Sequence, residues 1–296
     1  MSTAVAAQVT IESRASRGLW GDALRRLLRN KPAILGLGLV VLFIVVAILA
    51  PAIAPYGPTQ VRTGPSLAPP TLGHPFGTDL LGRDMFSRVL YGAQISLQVG
   101  VIAVILAVLS GGLMGALAGG IGGFTDSLLM RTTDVLLSIP GILLAIGIVA
   151  WLDRGMIQLM IAIAITYTPI FARLLRGSLL ALREADYVTA ARSVGASGPR
   201  ILVRHLLPNS LTPLIVAATL VLATAIIDIA GLGFLGLGPP DPRTPEWGTM
   251  LVDARRFLQT APWIVLFVGG AIVVSAIGFN MLGDGLRESL DPRLKR

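Results

Sequence analysis

The sequence has no cysteine and little charge. The absence of cysteine excludes disulfide bonds and cysteine-ligated metal sites. Charged residues make up 14% of the chain and hydrophobic residues 54%, whereas a soluble domain has about 25% charged residues. Because hydrocarbon tolerates few ionisable groups, this composition predicts an integral membrane protein. The net charge of +8 is therefore interpreted as a signal of membrane topology, rather than of nucleic acid binding.

Reactive groups are scarce as well. The chain has two histidines, so a dedicated metal site is not expected; His74, Asp79 and Asp84 form a conceivable ligand set, but at no recognised spacing. We find no nucleophile with a plausible base. A GxxxxGK[ST] nucleotide-binding loop is also absent from the sequence. The sequence therefore predicts no catalytic residue and no cofactor on this chain, and any ATP hydrolysis must belong to another chain.

Six apolar stretches are long enough for helices that cross the bilayer, which needs about 20 residues. They are Ala33–Ala50, Ile95–Thr125, Val135–Leu152, Gly155–Ala172, Leu206–Ile227 and Phe257–Gly283. The alternating ten-residue segments of a β-barrel are missing from the sequence, so we predict an all-α membrane protein with six transmembrane helices. The first stretch is longer than the apolar core of a secretory signal and is interpreted as a retained span.

Basic residues predict the orientation. With six spans, one side of the membrane carries seventeen Lys and Arg residues and the other carries seven. The positive-inside rule places the richer side, with both termini, in the cytoplasm. The expected organisation is a cytoplasmic tail with an interfacial amphipathic helix, a first span with a proline-rich external loop, a core transmembrane domain, and a C-terminal tail. These segments cover residues 1–31, 32–94, 95–285 and 286–296.

Small residues and prolines mark the spans. Four glycines of the second span recur every four residues, which favours close packing against another helix: Gly111, Gly115, Gly119 and Gly123. Pro140 and Pro169 interrupt the third and fourth spans. Each proline frees a backbone carbonyl and marks either a cavity wall or a simple bend.

The cytoplasmic loop 173–205 is longer than a connection between neighbouring helices requires. Its apolar residues follow helical spacing, at Tyr187, Ala190, Ala191 and Val194. Gly195 can end this helix in a left-handed conformation, and the following Ser-Gly-Pro can start another. The predicted helix fits a groove on a partner protein. The alternative is a helix lying on the lipid surface, but its narrow alanine face would bury little area there.

Asp228 is an acid close to an apolar span. Charged groups in the membrane are costly and often functional. Asp228 either faces a translocation cavity and attracts the cationic end of a substrate, or caps nearby backbone in the outer interface. The sequence leaves both readings open.

The cytoplasmic loop also carries a motif. Residues 187–195, Tyr-Val-Thr-Ala-Ala-Arg-Ser-Val-Gly, and residues 205–209, His-Leu-Leu-Pro-Asn, resemble the EAA signature of bacterial ABC import permeases. That signature is Glu-Ala-Ala, three residues, Gly, nine residues, Ile, one residue and Leu-Pro. Thr189 stands in place of its Glu and His205 in place of its Ile. The residues in register are Ala190, Ala191, Gly195, Leu207 and Pro208.

Three further stretches resemble the second permease subunit of the dipeptide/oligopeptide/nickel branch of these importers. They are His-Pro-Phe-Gly-Thr-Asp with Gly-Arg-Asp at 74–84, Phe-Leu-Gly-Leu-Gly with Glu-Trp-Gly at 234–248, and Asn-Met-Leu-Gly-Asp-Gly-Leu-Arg with Leu-Asp-Pro-Arg at 280–293. The resemblance covers about residues 20–296. Relatives in this branch carry nickel, glutathione or antimicrobial peptides as well as peptides, so the substrate stays open.

The resemblance implies the fold of a type I ABC importer permease in a bacterial cell membrane. It also implies a heterodimer with a homologous permease, two ATPase domains that bind ATP and Mg²⁺, an extracytoplasmic substrate-binding protein, and a di- or oligopeptide substrate. The loop would couple to an ATPase through eight residues: Tyr187, Thr189, Ala190, Ala191, Val194, Gly195, Leu207 and Pro208.

Two other function classes are weaker. An ion-coupled transporter would need charged residues in mid-membrane to bind its ion, and the predicted spans lack them. A membrane-embedded enzyme would need a nucleophile or a metal set, which the sequence does not supply. The sequence therefore favours a permease driven by another chain's ATPase.

Overall fold

The computed structural model describes residues 19–290, apart from the side chains of residues 19, 20, 22 and 23. Within this range every regular element is a helix, which confirms the predicted all-α class. The α-helices are α1 Leu19–Leu27, α2 Lys31–Ile53, α3 Met85–Ile121, α4 Gly123–Ser138, α5 Gly141–Leu152, α6 Met156–Arg183, α7 Asp186–Ser193, α8 Gly198–Ile201, α9 Leu207–Leu232, α10 Trp247–Ala254 and α11 Pro262–Leu290. Residues 1–18 of the predicted N-terminal segment and residues 291–296 lie outside the described residues.

The apolar helices agree with the predicted spans, with one difference. In the described range five single helices can cross a membrane, namely α2, α3, α6, α9 with its flanking turns, and α11. The third predicted span is divided, because α4 and α5 are bent by 95° at Ile139 and Pro140. Pro140 disfavours the helical conformation in the residue before it, so α4 ends at Ser138. The count is six if this bent pair is taken as one span.

Helix α3 begins ten residues before the predicted second span. Asp84 caps its first turn, where its carboxylate accepts a hydrogen bond from the Ser87 backbone N–H at 2.7 Å. Ser87 and Arg88 are buried although they are polar, so a search for uncharged apolar residues could not include them. The predicted boundary at residue 94 therefore falls inside α3. At the other end of the chain α11 continues to Leu290, past the predicted start of the tail at 286.

The segment 122–134, at the junction of the second and third predicted spans, is helical. Most of it belongs to α4, which is attached to α6 by two ion pairs. Arg176 donates from Nε and Nη2 to the two carboxylate oxygens of Asp126 at 2.5 and 2.6 Å. Arg173 donates from Nη2 to Asp134 at 2.5 Å. The α4 segment therefore lies against α6 instead of forming an irregular connection.

Glycines join α3 to α6, as the spacing predicts. A Cβ atom at Gly111 would overlap the carbonyl oxygen of Thr168, and one at Gly115 would overlap that of Ala172. Only glycine lets the two backbones approach this closely. Gly123 departs from the prediction, because it follows the end of α3 with φ +59 and open space beside it.

The buried apolar residues form three clusters. The first joins α2, α3, α9, α10 and α11, and the second joins α3, α5, α6 and α9. The third lies at the C-terminal end of α6, where it packs α7 and α8 against α9. Helix α9 contributes to all three and is the centre of the bundle. Pro169, unlike Pro140, lies inside a continuous α6.

Candidate functional site

The α7 segment is held to the bundle mainly by one apolar side chain, with Ala191 packed against the same cluster. Val188 is 0% exposed. It packs in the third cluster with five other buried residues, Leu175, Leu179, Ile201, Leu206 and Leu214. These residues come from α6, from α8 and its continuation, and from α9. Burial of this kind fixes the position of a two-turn helix that is too short to be stable alone. Val188 lies outside the helical spacing of Tyr187, Ala190, Ala191 and Val194 and was therefore not predicted to anchor the helix.

Gly195 ends α7 in the predicted left-handed conformation. Its φ is +82. The Gly195 N–H donates to the carbonyl of Arg192 at 2.9 Å, and the Ala196 N–H donates to that of Ala191 at 3.0 Å. This pair of bonds is the Schellman motif, which satisfies the last carbonyls of a helix and reverses the chain. The tight turn expected from the sequence is therefore present.

The second helix also follows as predicted. Ser197 has an extended backbone at the N-cap of α8, and Pro199 occupies the first turn. The chain continues through a wide π-helical turn, Leu202–Leu206, directly into α9. Leu207 is half-buried and Pro208 is exposed at the start of α9. The result is a helix, a turn and a helix that continues into a membrane span.

The residues of α7 that were predicted to contact an ATPase differ in their exposure. Val194 is 86% exposed and Tyr187 is 40% exposed, and Thr189 and Ala190 are also exposed. Ala191 is half-buried. An apolar surface of this kind at the end of a bundle indicates a contact with another protein or with lipid. Of the predicted coupling residues before Gly195, four are thus free to make that contact and Ala191 faces partly inward.

The segment is tied to α3 as well as to α6. Arg183, the last residue of α6, donates from Nη2 to the carbonyl of Gly120 at 2.6 Å. Gly120 lies in the last turn of α3, where carbonyls lack partners within the helix. The α7 segment therefore sits at the C-terminal end of α3, opposite the 54–84 loop at its N-terminal end.

Asp228 lies inside the bundle rather than in an outer loop. It is part of α9, which continues to Leu232, five residues beyond the end of the predicted fifth span at Ile227. The Tyr167 hydroxyl of α6 donates to Asp228 Oδ2 at 2.7 Å. Asp228 is half-buried, and Thr224, one turn earlier, is exposed. A carboxylate with one hydrogen bond keeps capacity to accept others, so Asp228 can still receive a donor from outside the chain.

The 54–84 loop uses its polar motif for its own structure. His74 Nδ1 lies 2.9 Å from Asp84 Oδ1, and Arg83 Nε lies 2.5 Å from Asp79 Oδ2. The conceivable set of His74, Asp79 and Asp84 is thus split between two pairs. Residues 19–290 contain no group of three or more His, Cys, Asp or Glu that could hold a metal ion.

Glu246, the acid of the Glu-Trp-Gly stretch, is buried, and its sequence context alone predicted no role for it. It is 0% exposed and accepts hydrogen bonds from the backbone N–H groups of Gly248 at 2.7 Å and Thr249 at 2.8 Å. These bonds cap α10. Burial raises the pKa of its carboxyl above the ordinary value. The adjacent Trp247 is buried too and donates from Nε1 to Val89 at 3.2 Å. An acid directly before a short apolar helix was the available signal.

Comparison with known proteins gives the family. The model of the binding-protein-dependent transport system inner membrane component matches residues 111–296. The model of the N-terminal transmembrane domain of oligopeptide transport permease C matches residues 18–70.

Similar proteins cover nearly the whole chain. The dipeptide transport system permease protein DppC of Alkalihalophilus pseudofirmus is 48% identical over 93% of this chain and 90% of its own length. The glutathione transport system permease protein GsiD of Shigella flexneri is 48% identical over 93% of this chain and 91% of its own. GsiD of Escherichia coli O6:K15:H31 is 47% identical over the same shares.

A solved structure supports the fold. The MetNI methionine ABC transporter in an inward-facing conformation matches with a TM-score of 0.57 and 21% identity over 70% of this chain and 98% of its own. This likeness confirms the predicted type I importer permease architecture. Taken with the family models and the 48% identical relatives, it establishes that the chain belongs to the family of inner membrane components of binding-protein-dependent transport systems.

Proposed function

We propose that this chain is a permease subunit of an ATP-binding-cassette importer that moves short peptides across a bacterial cell membrane. The family and the apolar helices support a multi-pass membrane permease. The names of the 48% identical relatives support a dipeptide or the tripeptide glutathione as the substrate. The chain supplies the passage, and the energy comes from ATP and Mg²⁺ bound by separate ATPase subunits.

The single observation that carries the coupling role is the contrast within α7. Val188 fixes the helix to the bundle while Tyr187, Ala190 and Val194 remain exposed. A helix that is rigidly attached and presents an apolar surface can act as a lever when a partner grips that surface. We infer that an ATPase cleft receives α7, with Thr189, Ala191 and Gly195 shaping the contact.

The start of α9 would complete the contact. Leu207 and Pro208 begin the helix that leads into the bundle, so movement of α7 and α8 passes directly to a membrane span. Coupling requires that ATP and substrate each favour one of two discrete arrangements of this unit.

The assembly we propose has four further components. A homologous permease forms a heterodimer with this chain, two ATPase domains bind on the cytoplasmic side, and a substrate-binding protein docks on the outer side. Both termini then lie in the cytoplasm, as the distribution of basic residues indicates.

Asp228 is proposed to contact the substrate. Its half-buried carboxylate, oriented by Tyr167 at 2.7 Å, can accept a hydrogen bond from the N-terminal ammonium of a peptide. Asp228→Asn is expected to weaken peptide uptake about tenfold, the cost of one charge-assisted hydrogen bond. Equal uptake rates and equal substrate preference in the variant and the parent would assign Asp228 to structure instead.

The function is tested by reconstitution. Proteoliposomes with the complete assembly are supplied with a radiolabelled dipeptide, glutathione or Ni²⁺, together with the binding protein and internal ATP. Uptake of the dipeptide or glutathione that requires ATP is the expected result. Uptake by this chain alone under an ion gradient would contradict the proposal, and uptake of Ni²⁺ only would contradict the peptide substrate.

A further inference from the structure

A cavity of about 220 Å³ lies beside the first turn of α3, at the opposite end of that helix from α7. Its walls come from the end of the 54–84 loop, from α10 with the turn after it, and from the first turn of α11. Five charged residues line it, three arginines and two aspartates: Arg83, Arg88, Arg256, Asp79 and Asp253. Neither the coupling role of α7 nor the Asp228 contact uses this cavity.

Arg88 is the unusual member of this set. It is only 2% exposed. Its Nη1 donates to the carbonyl of Pro58 at 2.8 Å. Across residues 19–290 this is the one side-chain hydrogen bond that Arg88 forms, and no acidic side chain there forms an ion pair with it. A guanidinium has five N–H donors, so most of its donors are left for the cavity.

The neighbouring charges compensate Arg88 only in part, because Asp79 and Asp253 favour its charge while Arg83 opposes it. Arg83 is already paired with Asp79 at 2.5 Å and also donates to the Pro242 carbonyl at 3.0 Å. Asp253 and Arg256 are exposed. A buried charge is expensive unless a counter-charge or hydrogen bonds balance it. The cavity is therefore a place where an added anion would be stabilised.

We propose that this cavity binds a carboxylate group, with Arg88 as its main donor. A planar guanidinium matches a carboxylate in a two-bond arrangement. Arg256 at the rim adds attraction, and the exposed Asp253 partly opposes it. The cavity is too small for a large substrate but accepts the end of a peptide or one acidic side chain.

The carboxylate can come from two sources. That the cavity binds a carboxylate does not depend on the proposed function, but the identity of the two candidate sources does. The C-terminus of a free peptide would make the cavity a substrate site. An Asp or Glu side chain of the substrate-binding protein would make it a docking site.

The test uses the assembled transporter in lipid nanodiscs. The first arm measures direct binding of ¹³C-labelled dialanine, and of dialanine amide as the uncharged match, by NMR saturation transfer. The second arm measures the affinity of the substrate-binding protein for the nanodiscs. Both arms compare Arg88→Gln and Arg88→Lys with Arg243→Gln, an exposed arginine paired with Asp241 outside the cavity.

Binding in one arm should fall about 10- to 100-fold in Arg88→Gln, as expected for a charge-assisted pair. It should fall less in Arg88→Lys and not at all in Arg243→Gln. Loss of dialanine binding, with no binding of the amide, identifies a peptide carboxylate. Loss of binding-protein affinity alone identifies an acidic side chain of that protein.

A further variant keeps the test decisive if Arg88→Gln fails to fold. Arg256→Gln changes an exposed rim residue and should weaken the same interaction about threefold, as a screened charge would. If neither Arg88→Gln nor Arg256→Gln differs from Arg243→Gln in either arm, the cavity holds only water and the proposal is wrong. If carboxylate binding persists while ATP-driven uptake fails, the cavity site stands and the proposed function falls.

Discussion

Two long connections lie near the ends of α3 and are built differently. The first, residues 54–84, leads from α2 into α3, and the second, residues 184–206, leads from α6 to α9 near the last turn of α3. In the first, buried polar groups pair with one another: Asp84 is held by His74 and Ser87, and Arg83 by Asp79. In the second, the chain is fixed by an apolar cluster around Val188, and its remaining apolar side chains are exposed. The first loop is held mainly by polar pairs and the second by apolar packing, and both leave apolar side chains exposed: Leu72, Leu80 and Leu81 in the first, Tyr187 and Val194 in the second. Substitution of the polar pairs in the first loop, or of Val188 in the second, should therefore affect stability, whereas substitution on the exposed face of α7 should affect assembly.

The largest effect is expected from Asp84→Ala in the first loop. The buried carboxylate accepts bonds from the Ser87 N–H and hydroxyl, both at 2.7 Å, and lies 2.9 Å from His74 Nδ1. Its loss leaves these groups unpaired, and we expect about 3 kcal/mol of destabilisation. Thermal unfolding of the purified protein measures it. The exposed Asp241→Ala is the control and should melt like the parent; equal melting of both variants would show that the bonds to Asp84 do not stabilise the loop.

A matched pair of valines tests the second loop. Val188→Ala removes two methyl groups from a fully buried site and should cost about 2 kcal/mol. Val194→Ala makes the same change at an 86% exposed site. It should leave the melting temperature unchanged and weaken co-purification of the ATPase. If Val194→Ala destabilises the isolated chain, or leaves ATPase binding intact, α7 does not present its exposed face to the ATPase.

Gly195→Val tests the turn that positions α7. A β-branched residue at φ +82 costs about 1–2 kcal/mol, so the turn opens and coupling weakens. We expect peptide-stimulated ATP hydrolysis to fall about tenfold. Gly195→Asn is the matched control, since asparagine tolerates the left-handed conformation. Unaltered co-purification and transport-coupled hydrolysis in Gly195→Val would refute the role of this geometry.

The smallest effect is expected from Thr189→Ala. Thr189 is exposed and stands where the EAA signature has a carboxylate, so its side chain supplies no charge for the alanine to remove. Affinity for the ATPase should change by less than about 0.5 kcal/mol, as for an ordinary surface position. A titration of ATPase against detergent-solubilised chain measures it, and a tenfold loss of affinity would show a contact that exposure alone does not reveal.

The helix–turn–helix at 186–206 was predictable because its signals are local. Helical spacing, the left-handed glycine and the proline in a first turn each act within a few residues. The spans were predictable for the same reason, since hydropathy needs only a window of sequence. The exposed face of α7 was harder to predict, because Val188 lies next to the apolar stripe that begins at Tyr187. Only contacts with the rest of the fold decide which of these side chains is buried.

Other features depend on contacts between distant residues. The early start of α3 requires Arg88 to be buried beside the Pro58 carbonyl, 30 residues away. The placement of Asp228 requires Tyr167 from another helix. Arg88 escaped notice because a charge at the edge of an apolar run normally marks a boundary with water.

Helix α3 has 37 residues and is therefore about 55 Å long. Its last turn is clamped by Arg183 at Gly120, and its first turn carries Arg88. It is one continuous helix that is long and apolar enough to cross a bilayer by itself. A tilt of about 5° around its middle would swing each tip by roughly 2–3 Å in opposite directions, given that length. A displacement of the α7 end of this helix would thus change the position of Arg88 and the opening of the cavity at its other end, with no flexible segment between the two.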